Sequence, residues 1–322
     1  FEELGLAESV SSIGEGGLLP TSGTINVEQS ELNMRWLYGT MRFTKQALTA
    51  ATGANKGAAL GAYNYTVNSL RRRLKNEMSR QVWGTGSGRL ALVNGAVAAS
   101  TTVNLDTPNG IAGTFGARFI RPGMILAFSD TDATITAVRT VTAVAATGLS
   151  MTVDAAVTLA DNAVVYRCSA TGVTDFNDTS KNNDVFGIPQ IVSDATSAAT
   201  FRGLSRTTFP QFSAHVVPAV GAVSLANITT AMDHVAQRSD TGGIDVFACN
   251  HNVRAAILTQ LQADRRYSNE YIRKPDVGWD VPMKKRGTKG GPYLTFGGID
   301  IVESKYAPEN RIYGLDSGTF EK

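Results

Sequence analysis

The sequence predicts an α+β protein that carries an inserted small β-barrel or β-sandwich, and three patterns predict this fold class. Apolar residues three or four positions apart run from Gly61 to Trp83, as on one face of an amphipathic helix. Short alternating runs of Ala, Thr and Val separated by turns fill Val93 to Tyr166. Helical and strand patterns are mixed from Ser224 to Leu315. The 322 residues are enough for roughly two domains.

The chain opens with an acidic arm that precedes a basic segment. Residues 1–30 hold five acids and no base, whereas residues 31–90 hold ten bases and two acids. Such an asymmetry is typical of interaction surfaces, although two solvated faces would have the same composition. Gly, Ser, Thr and Pro dominate residues 14–24, and this composition predicts an extended connection.

Residues 25–43 alternate polar and apolar side chains and predict a long β-hairpin. Its apolar residues include Trp36 and its neighbours, and nothing nearby in the sequence offers them a core. We therefore expect the hairpin to need a partner surface.

The predicted helix over 61–83 is the strongest local pattern in the chain. Its apolar stripe consists of six residues: Tyr63, Val67, Leu70, Leu74, Met78 and Val82. Arg71, Arg72 and Arg73 occupy consecutive positions, so they cannot all face one core. The glycine-rich run 84–88 predicts the end of the helix, because glycine readily adopts the left-handed conformation of a carboxyl-terminal cap.

The β-rich stretch that follows is predicted to be an insertion between two halves of a larger domain. Because the ends of an insertion usually lie close together, we expect the rest of the fold to survive its removal.

Known catalytic and metal-binding signatures do not match the sequence, which predicts no catalytic, cofactor or metal site. Cys249 and His251 are two residues apart, but this spacing fits neither a zinc site nor a thiol-catalytic motif. The basic run Lys284, Lys285 and Arg286 predicts either solvated charge or weak, sequence-independent phosphate contacts. No apolar run approaches the about 18 residues that a membrane span needs.

The order of these pieces resembles the major capsid proteins of tailed bacteriophages with the HK97-type fold. In that family an amino-terminal arm and a hairpin, the E-loop, lead into a long spine helix, a peripheral domain and an axial domain. The segments that carry the resemblance are Met34 to Leu48, Asn68 to Gly88, Phe201 to Pro210, Phe296 to Val302, Tyr306 to Pro308 and Arg311 to Leu315. No single motif among them is diagnostic, and the ordered set is what resembles the family.

The resemblance implies a domain order along the whole chain. The expected parts are an arm (1–24), an E-loop hairpin (25–48), a spine helix of the peripheral domain (49–92), an inserted β-domain (93–168), a return of the peripheral domain (169–223), an axial domain (224–292) and closing strands (293–322).

The function implied by the resemblance is that of a structural subunit of an icosahedral phage head. Hexamers and pentamers of the chain would enclose double-stranded DNA, contacted without sequence specificity, in a virion assembled in the bacterial cytoplasm. Scaffold, portal and decoration proteins are further implied partners, and no membrane is. The expected contacts between subunits come from Glu28, Glu31, Trp36, Tyr38, Arg71, Arg72 and Arg73, and the expected weak DNA contacts from Lys284, Lys285 and Arg286.

Three other functions remain open at this point. The nearest is an encapsulin-like shell that encloses protein cargo. A cysteine-dependent hydrolase using Cys249 and His251 belongs to a different class, and a β-rich host-binding phage protein to a third.

Overall fold

The computed structural model describes residues 2–3, 12–15, 17–18, 27–31, 33–42, 44–45, 56–218, 223–238, 243–265 and 294–316. The chain divides into two compact units, residues 1–34 with 190–216 and residues 35–189 with 217–322.

The described residues contain four α-helices and fourteen strands. The helices are α1 (Lys56–Val82), α2 (Ile188–Ile191), α3 (Leu225–Arg238) and α4 (His251–Arg265). The strands are β1 (Glu2–Glu3), β2 (Val27–Glu28), β3 (Arg89–Val93), β4 (Val97–Asp106), β5 (Ile125–Ser129), β6 (Ala137–Val144), β7 (Ser150–Leu159), β8 (Val164–Arg167), β9 (Thr200–Phe201), β10 (Leu204–Ser205), β11 (Val246–Cys249), β12 (Leu294–Phe296), β13 (Ile299–Glu303) and β14 (Ile312–Leu315).

Six of these strands close into an antiparallel barrel in the order β3-β4-β7-β6-β5-β8. The barrel lies within the stretch for which the sequence predicts a small barrel or sandwich. Alternate side chains of its strands point inward, and Leu90, Val103, Leu126, Phe128 and Met151 are among those that form its buried core. Closure leaves these strands without a free edge.

The outer wall of the barrel is covered where β5 and β8 lie side by side. Tyr166 and Cys168 are buried there with Ala127, and Phe176 packs on them from the segment after β8. The rings of Tyr166 and Phe176 meet edge to face with their centroids 5.8 Å apart. The chain that leaves the barrel therefore folds back onto it.

The carboxyl-terminal part of the same unit is a four-stranded sheet in the order β12-β13-β11-β14. The central strand β11 runs parallel to β13 and antiparallel to β14. Ile228 of α3 and Ile257 of α4 pack with Phe247 and Ile301 of the sheet in one buried cluster.

The first unit contains two short two-stranded pairings. Strand β1 pairs with β2, and β9 pairs with β10. Arg206, which follows β10, is almost fully buried, and its Nη2 donates to the carbonyl oxygens of Gln190 and Ile191 at 2.7 and 3.2 Å.

The HK97-type fold class expected from the resemblance is wrong. That expectation required a helix-rich fold organised by a spine helix, but the described residues are built around a closed six-stranded barrel and contain four α-helices. The physical reason is that the β-branched runs between Arg89 and Arg167 form a complete core of their own instead of decorating a helical body.

The predicted E-loop hairpin over 25–48 also differs from the structure. Among its described residues, only Val27–Glu28 form a strand, and that strand pairs with Glu2–Glu3. Residues 33–42 form neither helix nor strand. Among the described residues, no strand pairs with residues 33–42.

The stripe of α1 is less buried than a core helix requires, since Leu70 and Leu74 are only half-buried. Truncating a fully buried leucine to alanine costs about 2–5 kcal/mol. We expect Leu70→Ala or Leu74→Ala to cost about 1–2 kcal/mol, because part of each side chain already contacts water. Urea denaturation followed by circular dichroism measures this, and a loss above about 3 kcal/mol would show that the stripe is buried in solution.

Candidate functional site

The exposed apolar side chains of the described residues are concentrated on segment 33–42, which forms neither helix nor strand. Trp36 is 66% exposed and Tyr38 is 78% exposed, and Met34, Leu37 and Met41 are exposed beside them. Burying such side chains is favourable by about 1.5–3 kcal/mol each, so a contiguous group of them is typical of an interaction surface. We call residues 33–42 the apolar segment.

The apolar segment approaches α1 closely at Gly39. A Cβ atom on Gly39 would stand 3.0 Å from Leu70 Cδ1 and 3.1 Å from Leu74 Cδ2. The segment therefore covers the middle of the α1 stripe, whereas Tyr63 and Met78 farther along α1 remain exposed. The apolar segment and the uncovered parts of α1 together form the candidate assembly surface.

The residues predicted to make contacts between subunits fall in both units. Trp36 and Tyr38 lie in the apolar segment, and residues 71–73 are all exposed on α1. Glu31 is exposed in the first unit, where its backbone N–H donates to the carbonyl oxygen of Arg202 at 2.8 Å. Glu28 belongs to β2, paired with Glu2. The predicted DNA contacts Lys284, Lys285 and Arg286 lie outside the described residues.

A buried charge network joins the end of α1 to the barrel. Arg80 is 2% exposed, and its Nη2 donates to Glu77 Oε1 and Asp184 Oδ2, both at 2.6 Å. Its Nη1 donates to Asn109 Oδ1 at 2.6 Å, and Asn109 Nδ2 donates back to the Arg80 carbonyl oxygen at 3.0 Å. Asn109 follows β4 and Asp184 follows β8, so three separate parts of the chain meet at one guanidinium group.

The charges in this network are balanced. Arg167 Nη1 lies 3.3 Å from Glu77 Oε2, which gives two cations for two carboxylates. Burial disfavours the charged form of Arg80, but Asp184 and Glu77 outweigh it and raise the pKa of Arg80. Burial also opposes ionisation of Glu77, yet Arg80 and Arg167 lower the pKa of Glu77. The more deeply buried Asp184 has its pKa raised by desolvation, which Arg80 only partly offsets. This network holds the end of α1 against the segments that follow β4 and β8. No local pattern in the sequence predicts it.

A second polar cluster fastens the turn after β5 to the barrel wall. Asp132 has a left-handed φ of 60°, and its Oδ2 accepts a hydrogen bond from Arg89 Nη2 at 2.7 Å. Its Oδ1 accepts from the Tyr166 hydroxyl and lies 3.2 Å from Lys181 Nζ. Burial, and then the hydrogen bond to Asp132, raise the pKa of Tyr166 well above its usual value. The cluster holds the segment after β8 close to the barrel.

The loop between β13 and β14 connects the sheet to both the barrel and α1. The ring of Tyr306 stacks on Phe119 with centroids 6.1 Å apart, and its hydroxyl donates to Asn76 Oδ1 at 2.9 Å. Glu309 Oε2 accepts from the backbone N–H of Thr114 at 2.9 Å. The helix, the barrel and the sheet are therefore held together by specific side-chain contacts within one unit.

Cys249 lies in an environment that disfavours nucleophilic chemistry. It is fully buried in β11, and burial, followed by the nearby Glu303, raises the pKa of its thiol to about 11. At neutral pH it is a thiol and not the reactive thiolate. The His251 Nδ1 atom lies 3.1 Å from Glu303 Oε2, so this imidazole is engaged with a carboxylate. Both cysteines of the chain are free and buried.

Within the described ranges, no group of three or more His, Cys, Asp or Glu side chains is placed to bind a metal ion. In the same part of the chain, no helix is long and apolar enough to cross a membrane.

No protein-family model, curated protein or solved structure matches this chain.

Proposed function

We propose that this chain is a structural subunit that assembles with copies of itself into a closed shell around double-stranded DNA, as in the head of a tailed bacteriophage. The observation that carries the proposal is the apolar segment, which presents Trp36 and Tyr38 to solvent. The proposal concerns the function and does not depend on the HK97-type fold class.

Self-assembly accounts for the position of these side chains. Covering exposed apolar side chains removes them from water, which is favourable, and a neighbouring copy is always present at the concentration of the chain itself. Tyr63, Tyr65 and Met78 of α1 are exposed as well, so the surface offered to a neighbour extends along the helix.

Two of the alternative functions can be distinguished from a shell around DNA. An encapsulin-like shell would show the same self-assembly but would recover protein cargo in place of nucleic acid. The hydrolase is disfavoured by the buried Cys249, whose raised pKa leaves little thiolate.

We expect Trp36→Ser/Tyr38→Ser to abolish or strongly reduce particle formation while leaving the folded subunit intact. Both side chains are mostly solvated in the subunit, so their loss should change its unfolding free energy by no more than about 0.5 kcal/mol. The variant, in contrast, has no aromatic side chains at these two positions to bury between copies, so assembly should lose that stabilisation entirely. Multi-angle light scattering and negative-stain electron microscopy measure assembly, and thermal melting measures folding.

Phe115→Ser is the matched control, because Phe115 is also an exposed aromatic residue but belongs to a loop of the barrel. It should leave particle formation unchanged. A wild-type chain that stays monomeric over a wide range of salt and protein concentrations would contradict the proposal, as would normal particles from the double variant.

A further inference from the structure

The apolar segment and most of α1 lie in a stretch of the chain whose charged residues are all basic. Residues 32–76 contain eight bases and no acid. The single acid of α1, Glu77, is partly buried and is paired with Arg80 and Arg167. Nothing acidic in the helix therefore offsets its exposed cations.

Three of these cations lie on one face of α1. At about 100° per residue, Arg71, Lys75 and Arg72 fall within an arc of about 100°, whereas Arg73 falls on the other side. Asn64 and Asn68 lie on the same arc, and all five side chains are exposed. We call Arg71, Arg72, Lys75, Asn64 and Asn68 the basic face.

The cations of the basic face have no polar side-chain partner among the described residues. In the part of the chain that the structure describes, the side chains of Arg71, Arg72 and Lys75 form no ion pair and no hydrogen bond. The apolar segment, which contacts α1 at Gly39, adds the exposed Arg35 and Arg42 at four and three residues from that contact.

We infer that the basic face binds the phosphate backbone of double-stranded DNA without reading its sequence. This inference rests on the proposed function, since it names the surface of the subunit that meets the enclosed DNA. Duplex DNA carries one negative charge per about 1.7 Å of its axis, so cations about 6 Å apart, as Arg71 and Lys75 are along the helix, each find a phosphate. The asparagine amides are further donors to phosphate oxygens.

The competing occupant is the acidic arm of another copy, and its charge density fits less well. The arm spreads five carboxylates over residues 1–30, and only Glu2 and Glu3 are adjacent. A face with at least three clustered cations and no acid matches a dense polyanion better than a sparse one.

The test compares two charge-matched variants of the full chain. Arg71→Gln/Lys75→Gln removes one Arg and one Lys from the basic face, and Arg121→Gln/Lys305→Gln removes the same two types from exposed positions elsewhere. Binding to a fluorescein-labelled 30-base-pair duplex of arbitrary sequence is followed by anisotropy from about 50 to 200 mM salt. Circular dichroism verifies that each variant is folded.

The expected result is a salt dependence, log K against log salt, that becomes shallower by about 1.8 in the first variant and stays unchanged in the control. Equal slopes for the two variants, or no binding by the wild type at low salt, would overturn the inference. Unchanged DNA binding with lost particle formation in the first variant would overturn it as well and would assign the face to the acidic arm. A shallower slope in a chain that never forms particles would support the inference and count against the proposed function alone.

Discussion

Replacing Asp184 by alanine should lower the free energy of unfolding by about 3–5 kcal/mol, which is the cost of leaving a buried charge without its partner. Asp184 is 4% exposed and accepts hydrogen bonds from Arg80 Nη2 at 2.6 Å and from Gln81 Nε2 at 3.1 Å. Without it, Arg80 keeps Glu77 but loses half of its charge compensation in a place that water does not reach. Urea denaturation monitored by circular dichroism measures the loss.

Asp178→Ala is the control, because Asp178 lies on the same segment but is exposed. It should change the unfolding free energy by no more than about 0.5 kcal/mol. Asp184→Asn should fall between the two, since the amide oxygen can still accept from Arg80 while the negative charge is gone. If Asp184→Ala and Asp178→Ala are equally stable, the network does not hold α1 in solution.

Replacing residues 93–166 by a short Gly/Ser linker should abolish cooperative folding of the unit formed by residues 35–189 and 217–322. This reverses the expectation from sequence that the insertion is separable. Asn109 supplies one partner of the buried Arg80, and Phe119 stacks on Tyr306 of the loop between β13 and β14. Removing the barrel would leave both partners without their contacts. Soluble yield, limited proteolysis and the cooperativity of thermal unfolding measure the outcome.

Asn109→Ala provides the comparison for this deletion, because it removes one contact and keeps the barrel. That variant should remain folded and melt at a lower temperature, since a buried donor of Arg80 loses its acceptor. A deletion protein that is soluble, helical and unfolds in one transition would show instead that the barrel is independent of the rest of the unit.

Local patterns in the sequence located individual elements well, because their signals depend on neighbouring residues only. The stripe spacing predicted a helix over 61–83, and the structure has Lys56–Val82. The mixed helical and strand patterns from Ser224 to Leu315 include the observed strands Leu294–Phe296 and Ile299–Glu303. Periodicity sets which face of an element is apolar, and this is enough to place it along the chain.

The arrangement of the elements and the candidate site could be predicted only in part. The exposed Trp36 and Tyr38 were singled out because apolar residues without a local partner are visible in sequence. The pairing of Arg80 with Asp184 spans 104 positions, and Asp184 stands in a polar stretch that resembles any surface link. The barrel closes through the pairing of β3 with β8, whose partners are likewise far apart in sequence. Contacts of this kind leave no local signal.

Gly39 would affect how identical subunits meet in the proposed shell. The apolar segment touches Leu70 and Leu74 through a residue without a side chain, and no strand pairing fixes its described residues on either side of that point. Such a segment can pivot at the glycine without breaking any regular structure. If the chain forms the closed shell proposed above, copies in non-equivalent positions would reach their neighbours at unequal angles, and a pivot at position 39 would let one sequence serve all of them. A larger side chain at position 39 would press on the methyl groups of Leu70 and Leu74, and in the proposed shell it would narrow the range of curvatures that the lattice can adopt.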